Sequence, residues 1–574
     1  MSELKENKYF LYSKPQAWSV SLIFTISLFL FWNICILKFG NSFLGSDSFI
    51  IVERIANSDH LRWFEQTYLS QFGIQGILLS LMHSSPLSLN VTDISLQSSL
   101  LISFLTSFAF SVPTYKLLKL SGIYPVILYW LSLALSPWAL TFSYSLYWVP
   151  FTIILPFAIA FVTGKMMFNG RKPLMLSLIF LAMLIKCLCG YEYITTVTLF
   201  ACAGYVFSLI GTNHKARIYD LISIFIACVV GFSVAVAIHA VQLNNINDAY
   251  GFSTIINRVE LHTGTDGGAD YAQGLIQHLS SRKGNESLIE TLSSDLESHK
   301  LLFAWESFKE YFYLPALSFF NKEIPFGWFV LISVLTSAIC IIYPVKKFKD
   351  KIDSDLLHYS IGCAFIVAGV FSWQILAWHH MTIHFHLNGQ LFAYGIVPVA
   401  MISIGLLINN VCKRFHADHD LLTKTPVFII VIACIYLSLA NPFTRSISIT
   451  DSFQSFSKRG IEVIGHVDQA IISPGSNELN RGLGVETSRI YISGWAVAKG
   501  KGDVSPKLFV VIKGGIVGEI SPDIERDDVK KFYKIKNSDN GFVFSYDVPG
   551  AITKKDIKVL ASDGKGGYSE VEIP

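Results

Sequence analysis

Four histidines fall within eight positions of an apolar stretch, "WHHMTIHFHLNGQ" (378–390): His379, His380, His384 and His386. On a helix, His380 and His384 would share one face, a spacing that suits zinc, although no cysteine or acid nearby completes a zinc site. Imidazole N–H groups also bind phosphate or sugar oxygens. Three interpretations therefore stand at this stage: contact with a phosphate or sugar, ordinary interfacial histidines, and a metal site.

Asp47 is the first acid after the first apolar block, in "FGNSFLGSDSFIIVERI" (39–55). A carboxylate at a membrane edge is a candidate general base, because ionisable residues are costly to place there without a function. The alternative is a helix N-cap before "SFIIVERI". Arg54, a few residues later, is a candidate donor to an anion.

Lys186 and Glu192 lie close together in "LIKCLCGYEYITT" (184–196). These side chains either pair across a turn between two spans or line a cavity. The same stretch holds Cys187 and Cys189, which we interpret as small apolar residues rather than as metal ligands.

The stretch "SPWALTFSYSLYWVPF" (136–151) is rich in tyrosine, tryptophan and serine. Tyr147 and Trp148 fit an aromatic belt at the membrane interface. The alternative is that they form the wall of a sugar site.

Composition indicates the elements that must position these residues. The chain has 574 residues, 52% of them hydrophobic and 15% charged, with a mean hydropathy of +0.47. Apolar blocks of about twenty residues are long enough to cross a bilayer. We predict about eleven spans, at 17–38, 95–115, 121–138, 146–164, 174–190, 192–212, 219–242, 326–345, 356–377, 388–410 and 425–441.

Basic residues favour a cytoplasmic N-terminus, because lysine and arginine collect in inner loops. The predicted inner loops carry Lys116, Lys165, Lys215, Lys346 and Lys413, among others. An odd number of spans then places the C-terminus outside. The net charge of +3 gives no general attraction for nucleic acid. The sequence contains no P-loop or dinucleotide-binding glycine pattern.

Three segments are predicted to face outward: loops at about 39–94 and 243–325, and a polar tail. Residues 1–449 form the membrane domain, and 450–486 are predicted to be a tether. Residues 487–574 show alternation with Asp-Gly and Gly-Gly turns, which predicts a small β-sandwich. Trp495 in "SGWAV" is either a platform for an acceptor sugar or a core residue of that sandwich.

The layout resembles the GT-C glycosyltransferase superfamily, polytopic enzymes with an acidic residue in the first outer loop. Asp47 matches that acid, and His380, His384 and Asn388 match a late outer His-x-x-x-His…Asn segment. A basic residue is often found in the family where Trp378 stands. The chain looks most like the O-antigen-modifying, serotype-converting glucosyltransferases of bacteria and phages, over about 1–440.

This resemblance implies an enzyme of the bacterial inner membrane whose C-terminal domain is periplasmic. The donor would be an undecaprenyl-phosphate-linked hexose, with glucose expected, and the acceptor an O-antigen or other surface polysaccharide. A donor synthase and a flippase would supply the donor. Whether a divalent metal helps to bind the donor is left open.

In that reaction Asp47 would take the acceptor hydroxyl proton, and single displacement would invert the anomeric centre. Preorganised donors would stabilise the leaving phosphate. The candidates around the donor are His379, His380, His384, Asn388, Lys186, Arg54 and Glu192, and the candidates for the acceptor are Tyr147, Trp148 and Trp495.

Two other functions remain as alternatives. An O-antigen polymerase is expected to have an arginine-rich outer loop, whereas the arginines of 243–325 are few, Arg258 and Arg282. In this alternative the loop closes over substrate, with Asp266 or Asp270 as the contributing acid. A lipid-linked sugar transporter or flippase is expected to have internal repeats and midplane charges.

Overall fold

The computed structural model describes most of the membrane-like part and much of the C-terminal part of the chain. The described residues are 14–39, 51, 71–83, 91–246, 251–263, 300–319, 322–342, 351–378, 389–414, 463–474, 487–498, 506–512, 515–520, 522, 524–534, 539–549, 552–562, 568–571 and 573. The chain divides into two compact units, one of residues 1–278 and 285–444 and one of residues 279–284 and 445–574.

The first unit is helical. Its helices are α1 Lys14–Phe39, α2 Ile74–His83, α3 Val91–Ser111, α4 Thr114–Ser121, α5 Ile123–Ala134, α6 Pro137–Phe142, α7 Phe151–Thr163, α8 Lys172–Cys189, α9 Ile194–Ser208, α10 Ile218–Ile246, α11 Gly251–Thr263, α12 Lys300–Tyr313, α13 Phe326–Ile342, α14 Lys351–Leu376 and α15 Val397–Arg414. A short turn of 3-10 helix, Gly164–Met167, follows α7. The segment before α15 consists of a helical turn, Gly389–Leu391, and a π-helical turn, Phe392–Ile396.

Six helices among the described residues are long and apolar enough to cross a membrane. They lie in α1, α3, α8, α10, α14 and the segment ending in α15. Four more predicted spans fall on the shorter apolar helices α5, α7, α9 and α13. The predicted span at 425–441 lies outside the described residues. The chain is therefore a helical membrane protein, and the number of eleven spans remains a prediction.

Helix α9 lies at the centre of the unit, packed against α7 and α14. Gly204 makes the close approach to α7 feasible, because a Cβ at this position would collide with the Phe157 carbonyl oxygen. Small residues at such crossings let helix backbones come together where no water is present to drive association. Elsewhere α8 packs on α10, and α5 packs on α15.

A hairpin of strands β1 (Pro315–Phe319) and β2 (Lys322–Pro325) precedes α13. It is held to α6 and its neighbourhood by two hydrogen bonds. The Trp138 indole N–H donates to the Pro315 carbonyl at 2.8 Å, and the Ser318 amide donates to the Leu135 carbonyl at 3.0 Å.

The second unit contains two four-stranded antiparallel sheets. One has the order β10-β9-β5-β6 and the other β3-β4-β8-β7. The strands are β3 Val463–Pro474, β4 Thr487–Ala498, β5 Lys507–Ile512, β6 Gly515–Ile520, β7 Ile524–Glu525, β8 Asp539–Pro549, β9 Ile557–Ser562 and β10 Tyr568–Val571. A short helix, α16 Asp527–Tyr533, connects β7 to β8. Apolar residues of both sheets, such as Ile492 and Val559, form one shared core.

The structure differs from the predicted tether at 450–486, since 463–474 form β3 and pair with β4 along its length. The alternation of β3 is interrupted by a register shift between Val467 and Gln469. Val467 and Ala470 are buried, whereas Asp468 and Gln469 between them are exposed. Because of this bulge, a search for strict alternation of apolar and polar residues does not detect the strand.

Candidate functional site

The two ends of the helices in the first unit differ in character. Basic residues meet at the end formed by Lys172 of α8, Arg217 before α10, Lys116 of α4 and the first turns of α14, which we call the basic end. The opposite end contains the C-terminus of α8, the N-terminus of α9 and the segment 389–396. We call it the aromatic end.

At the basic end, Asp220 is fully buried and has three partners. Its carboxylate accepts hydrogen bonds from the Tyr205 hydroxyl at 2.9 Å, the Arg217 Nε at 2.7 Å and the Lys172 ammonium at 3.3 Å. A buried carboxylate with this many donors is a satisfied structural element.

At the aromatic end, Lys186 is 2% exposed. Its ammonium donates to the Gly190 carbonyl at 2.7 Å, and the contacts of the described residues include no ion pair with Glu192. The structure therefore does not pair Lys186 directly with Glu192 across the turn. A buried cation with one neutral acceptor is unusual, because buried charges are normally paired.

Gly190 brings other polar groups to the same turn. A Cβ at this position would lie 2.5 Å from Glu192 Oε2 and 2.7 Å from Gln71 Oε1, so both side chains pass directly against the glycine. Gln75 lies close by and connects two loops: its Nε2 donates to the Tyr147 carbonyl and to the Cys189 carbonyl, each at 3.2 Å. Gln75 of α2 therefore joins the loops that carry Trp148 and Glu192.

Aromatic rings form the adjoining part of this end. The Trp148 ring stacks on Tyr193 with centroids 5.6 Å apart and an interplanar angle of 20°. Trp373 makes a T-shaped contact with Tyr193, with ring centroids 5.4 Å apart, and Tyr147 contacts Trp148 at 5.3 Å. Trp148, Tyr147 and Tyr193 are all buried.

A buried amide accompanies these rings. Gln390 is 0% exposed and lies beside the Tyr193 hydroxyl. Among the described residues, no hydrogen bond of good geometry satisfies Gln390 Nε2 or Oε1, the Tyr193 hydroxyl or the Trp148 Nε1. The Tyr394 hydroxyl, one turn beyond Gln390, has none either. Unsatisfied buried polar atoms cost about 1–3 kcal/mol each, so a cluster of them requires an explanation such as a bound ligand.

The backbone is strained at the same place. Tyr193 has φ +67° and Val149 has φ +42°. Positive φ is uncommon for any non-glycine residue and an outlier for a β-branched one. The π-helical turn Phe392–Ile396 begins two residues after Gln390. Strained residues and π-helical turns concentrate at functional sites. We therefore take Trp148, Tyr193, Trp373, Gln390 and Lys186 as the candidate site, and call it the aromatic–amide cluster.

Six of the residues proposed from sequence lie outside the described residues, namely Asp47, Arg54, His379, His380, His384 and Asn388. Asn388 directly precedes the described helical turn that carries Gln390, and the histidines directly follow Trp378 in the chain. The acids Asp266 and Asp270 of the long loop also lie outside them.

Trp495 belongs to the second unit and is 7% exposed. It packs with Val497 and Val529, and its ring contacts Tyr533 at 5.0 Å. The side chain thus occupies a small core between β4 and α16, which agrees with the core interpretation.

Sequence reasoning singled out Lys186, Glu192, Tyr147 and Trp148 but missed Gln390, Tyr193, Gln71 and Gln75. Tyr193 and Gln390 lie within sequence segments that drew attention for other residues, and tyrosine and glutamine are common residue types. Their burial without hydrogen-bond partners among the described residues depends on tertiary packing, which no local sequence pattern indicates.

Within the described residues, no group of three or more histidine, cysteine, aspartate or glutamate side chains is arranged to hold a metal ion. No family model matches the chain, and neither a curated protein nor a solved structure matches it.

Proposed function

We propose that the protein is a membrane glycosyltransferase of the bacterial inner membrane. It moves a hexose, with glucose expected, from undecaprenyl-phosphate to an O-antigen or related surface polysaccharide on the periplasmic face. The observation that carries this proposal is the aromatic–amide cluster, whose stacked rings, buried amide and buried lysine meet at the end opposite the basic residues.

The chemistry of the cluster suits a sugar next to a phosphate. An amide offers both a donor and an acceptor, the pair that neighbouring sugar hydroxyls require. Indole and phenol rings provide apolar faces for the C–H side of a sugar ring, and their N–H and O–H groups remain for its polar edge. The unpaired atoms of Gln390, Tyr193 and Trp148 would be satisfied by such a ligand.

Lys186 supplies the positive charge that the leaving phosphate needs. As the anomeric C–O bond to phosphate breaks, negative charge grows on the phosphate oxygen, and a preorganised cation in a water-poor site stabilises it strongly. In our proposal His379, His380, His384, Asn388 and Arg54 contribute further donors, and Glu192 helps to orient the sugar.

Asp47 is the proposed base. The acceptor hydroxyl oxygen attacks the anomeric carbon, its proton passes to the Asp47 carboxylate, and polyprenyl phosphate leaves from the opposite side with inversion. Tyr147 and Trp148 are proposed to border the acceptor. With the basic end in the cytoplasm, as lysine-rich loops favour, the cluster faces the periplasm.

The test is the mass of the surface polysaccharide from matched cells that carry no copy, the wild-type copy or Asp47→Asn. We expect one hexose increment per repeat with the wild-type copy and a loss of that increment with Asp47→Asn at equal protein level. A change in chain length alone would instead identify a polymerase. Unchanged mass with well-expressed wild-type protein and a working donor pathway would favour a transporter.

A further inference from the structure

A cavity of about 310 Å³ lies inside the first unit, between α4, α7, α9, α14 and α15. Its walls are mainly aromatic and aliphatic, with Phe157, Phe161, Phe207, Ile366 and Ile402 among them. Its polar lining residues other than tyrosines are Lys116, Ser121, Asp355 and Asn410, and all four belong to the basic end.

The lining of the cavity extends along α14. Along α14 it extends from Asp355 to Ile366, eleven residues apart, which corresponds to roughly 16 Å at 1.5 Å per residue. An apolar lining of this length can accommodate a hydrocarbon chain.

The charges at its mouth are mostly positive. Lys116 lines the cavity and donates to the Phe207 and Ser208 carbonyls at 3.0 and 2.5 Å, where α9 ends. Lys165 lies close enough to interact with Lys116 electrostatically. The carboxylate of Asp355 is engaged by the Gly211 amide at 2.6 Å. Apolar walls that lead to a cationic mouth are complementary to an amphiphile with an anionic headgroup.

We infer that this cavity is a binding site for one acyl chain of an anionic phospholipid, whose headgroup lies at Lys116. The lipid comes from the leaflet at the basic end, and its chain runs along Phe207 and Tyr359 towards Phe200 and Tyr394. This site is distinct from the proposed donor site, because its polar groups are at the other end of the helices. The inference holds whether or not the chain transfers sugars.

Tyr394 borders both sites. Its ring lines the cavity, and its hydroxyl interacts electrostatically with that of Tyr193. The tail of a polyprenyl donor entering from the aromatic end would be the competing occupant. The experiment must therefore determine the direction of the chain as well as its presence.

The first experiment is native mass spectrometry of the full-length protein in detergent, titrated with phosphatidylglycerol or phosphatidylcholine. Ile402→Trp fills the cavity, and Leu407→Trp places the same side chain on the exposed face of α15, where Leu407 is 65% exposed. We expect one tightly held phosphatidylglycerol on the wild type and on Leu407→Trp, and at least tenfold weaker retention on Ile402→Trp. Lys116→Gln should reduce the preference for phosphatidylglycerol over phosphatidylcholine.

The second experiment uses phosphatidylglycerol with a photoreactive group at the end of its acyl chain. A chain that enters at Lys116 should crosslink near Phe200 and Tyr394. Equal lipid retention by the two tryptophan variants would overturn the inference. So would crosslinks confined to the outer face of α15, or complete displacement of the lipid by undecaprenyl phosphate. Val399→Phe, a milder filling of the same cavity, replaces Ile402→Trp if the latter does not fold.

Discussion

Asp220 at the basic end and Lys186 and Gln390 at the aromatic end are buried polar groups of the same helical unit, and their surroundings are opposite in character. At the basic end Asp220 has three donors, and the Asn409 amide donates to the Ser121 carbonyl at 2.6 Å. At the aromatic end Lys186 has one neutral acceptor, and both polar atoms of Gln390 lack partners among the described residues. A satisfied network contributes to stability and specificity, whereas an unsatisfied one is retained for another reason.

We expect this difference to distinguish a structural role from a functional one without reference to related proteins. It predicts that substitutions at the basic end reduce stability and spare activity. Substitutions at the aromatic end should do the reverse.

The largest expected effect is on Lys186. Lys186→Met should lower sugar transfer by about 10²–10³-fold, because it removes a preorganised cation from the leaving phosphate. The thermal midpoint should stay constant or rise, since an apolar side chain replaces a buried charge with one hydrogen bond. Turnover of a lipid-linked sugar in detergent measures the first effect. Lys165→Met, an exposed lysine at the basic end, is the control, and equal losses in both variants would refute the distinction.

Asp220→Asn should have the opposite outcome. The substitution weakens the hydrogen bonds from Arg217 and Lys172, and we expect a loss of about 2 kcal/mol in the free energy of unfolding. The cost stays moderate because both cations are about one-third exposed and keep part of their hydration. Turnover per folded molecule should not change. Unfolding in detergent, with activity normalised to the folded fraction, tests both statements, and an inactive but fully stable variant would contradict them.

The second unit contains ion pairs at its surface, in contrast to the buried polar groups of the first unit. Arg526 holds Asp528 with two hydrogen bonds, at 2.9 and 2.8 Å, and contacts Asp468 of the β3 bulge at 2.5 Å. These hydrogen bonds lower the pKa of Asp528 from 3.8 to about 2. The pairing therefore stabilises the folded state at pH values above about 3.8, and this contribution is lost as the pH falls through about 2.

We expect this effect to be the smallest, since both partners are hydrated. Asp528→Asn should remove a slight pH dependence of hydrogen exchange in the sheets of the full-length protein, in that acidic range. Protection from hydrogen exchange that falls with decreasing pH identically in both proteins would show that the pair does not contribute.

Much of the membrane part could be predicted from sequence, because a block of about twenty apolar residues indicates a helix that crosses the bilayer. The predicted spans at 174–190 and 219–242 fall on α8 and α10 within a few residues. Basic residues predicted in separate inner loops, such as Lys172 and Arg217, meet at one end. The predicted spans at 121–138 and 192–212 extend two to four residues beyond the ends of the shorter helices α5 and α9, since the short turns that bound them, such as 135–136, are themselves buried.

The site was predictable only in part. Lys186 is conspicuous because a lysine in an apolar block is rare, and Trp148 because of its aromatic neighbours. Gln390 and the left-handed conformation of Tyr193 depend on packing between segments nearly 200 residues apart in the chain. The core position of Trp495 depends on the contact of β4 with α16, which alternation alone does not locate.

The most direct test of the central claim compares two buried amides at opposite ends of one helical segment. Gln390→Leu and Asn409→Leu are each measured for turnover and for thermal midpoint in the same detergent. We predict that Gln390→Leu loses about 10–100-fold in turnover with an unchanged or higher midpoint, because it removes unsatisfied atoms that a ligand would use. Asn409→Leu should lower the midpoint and leave turnover intact. A Gln390→Leu protein that is destabilised yet fully active would contradict the assignment of the aromatic–amide cluster as the functional site.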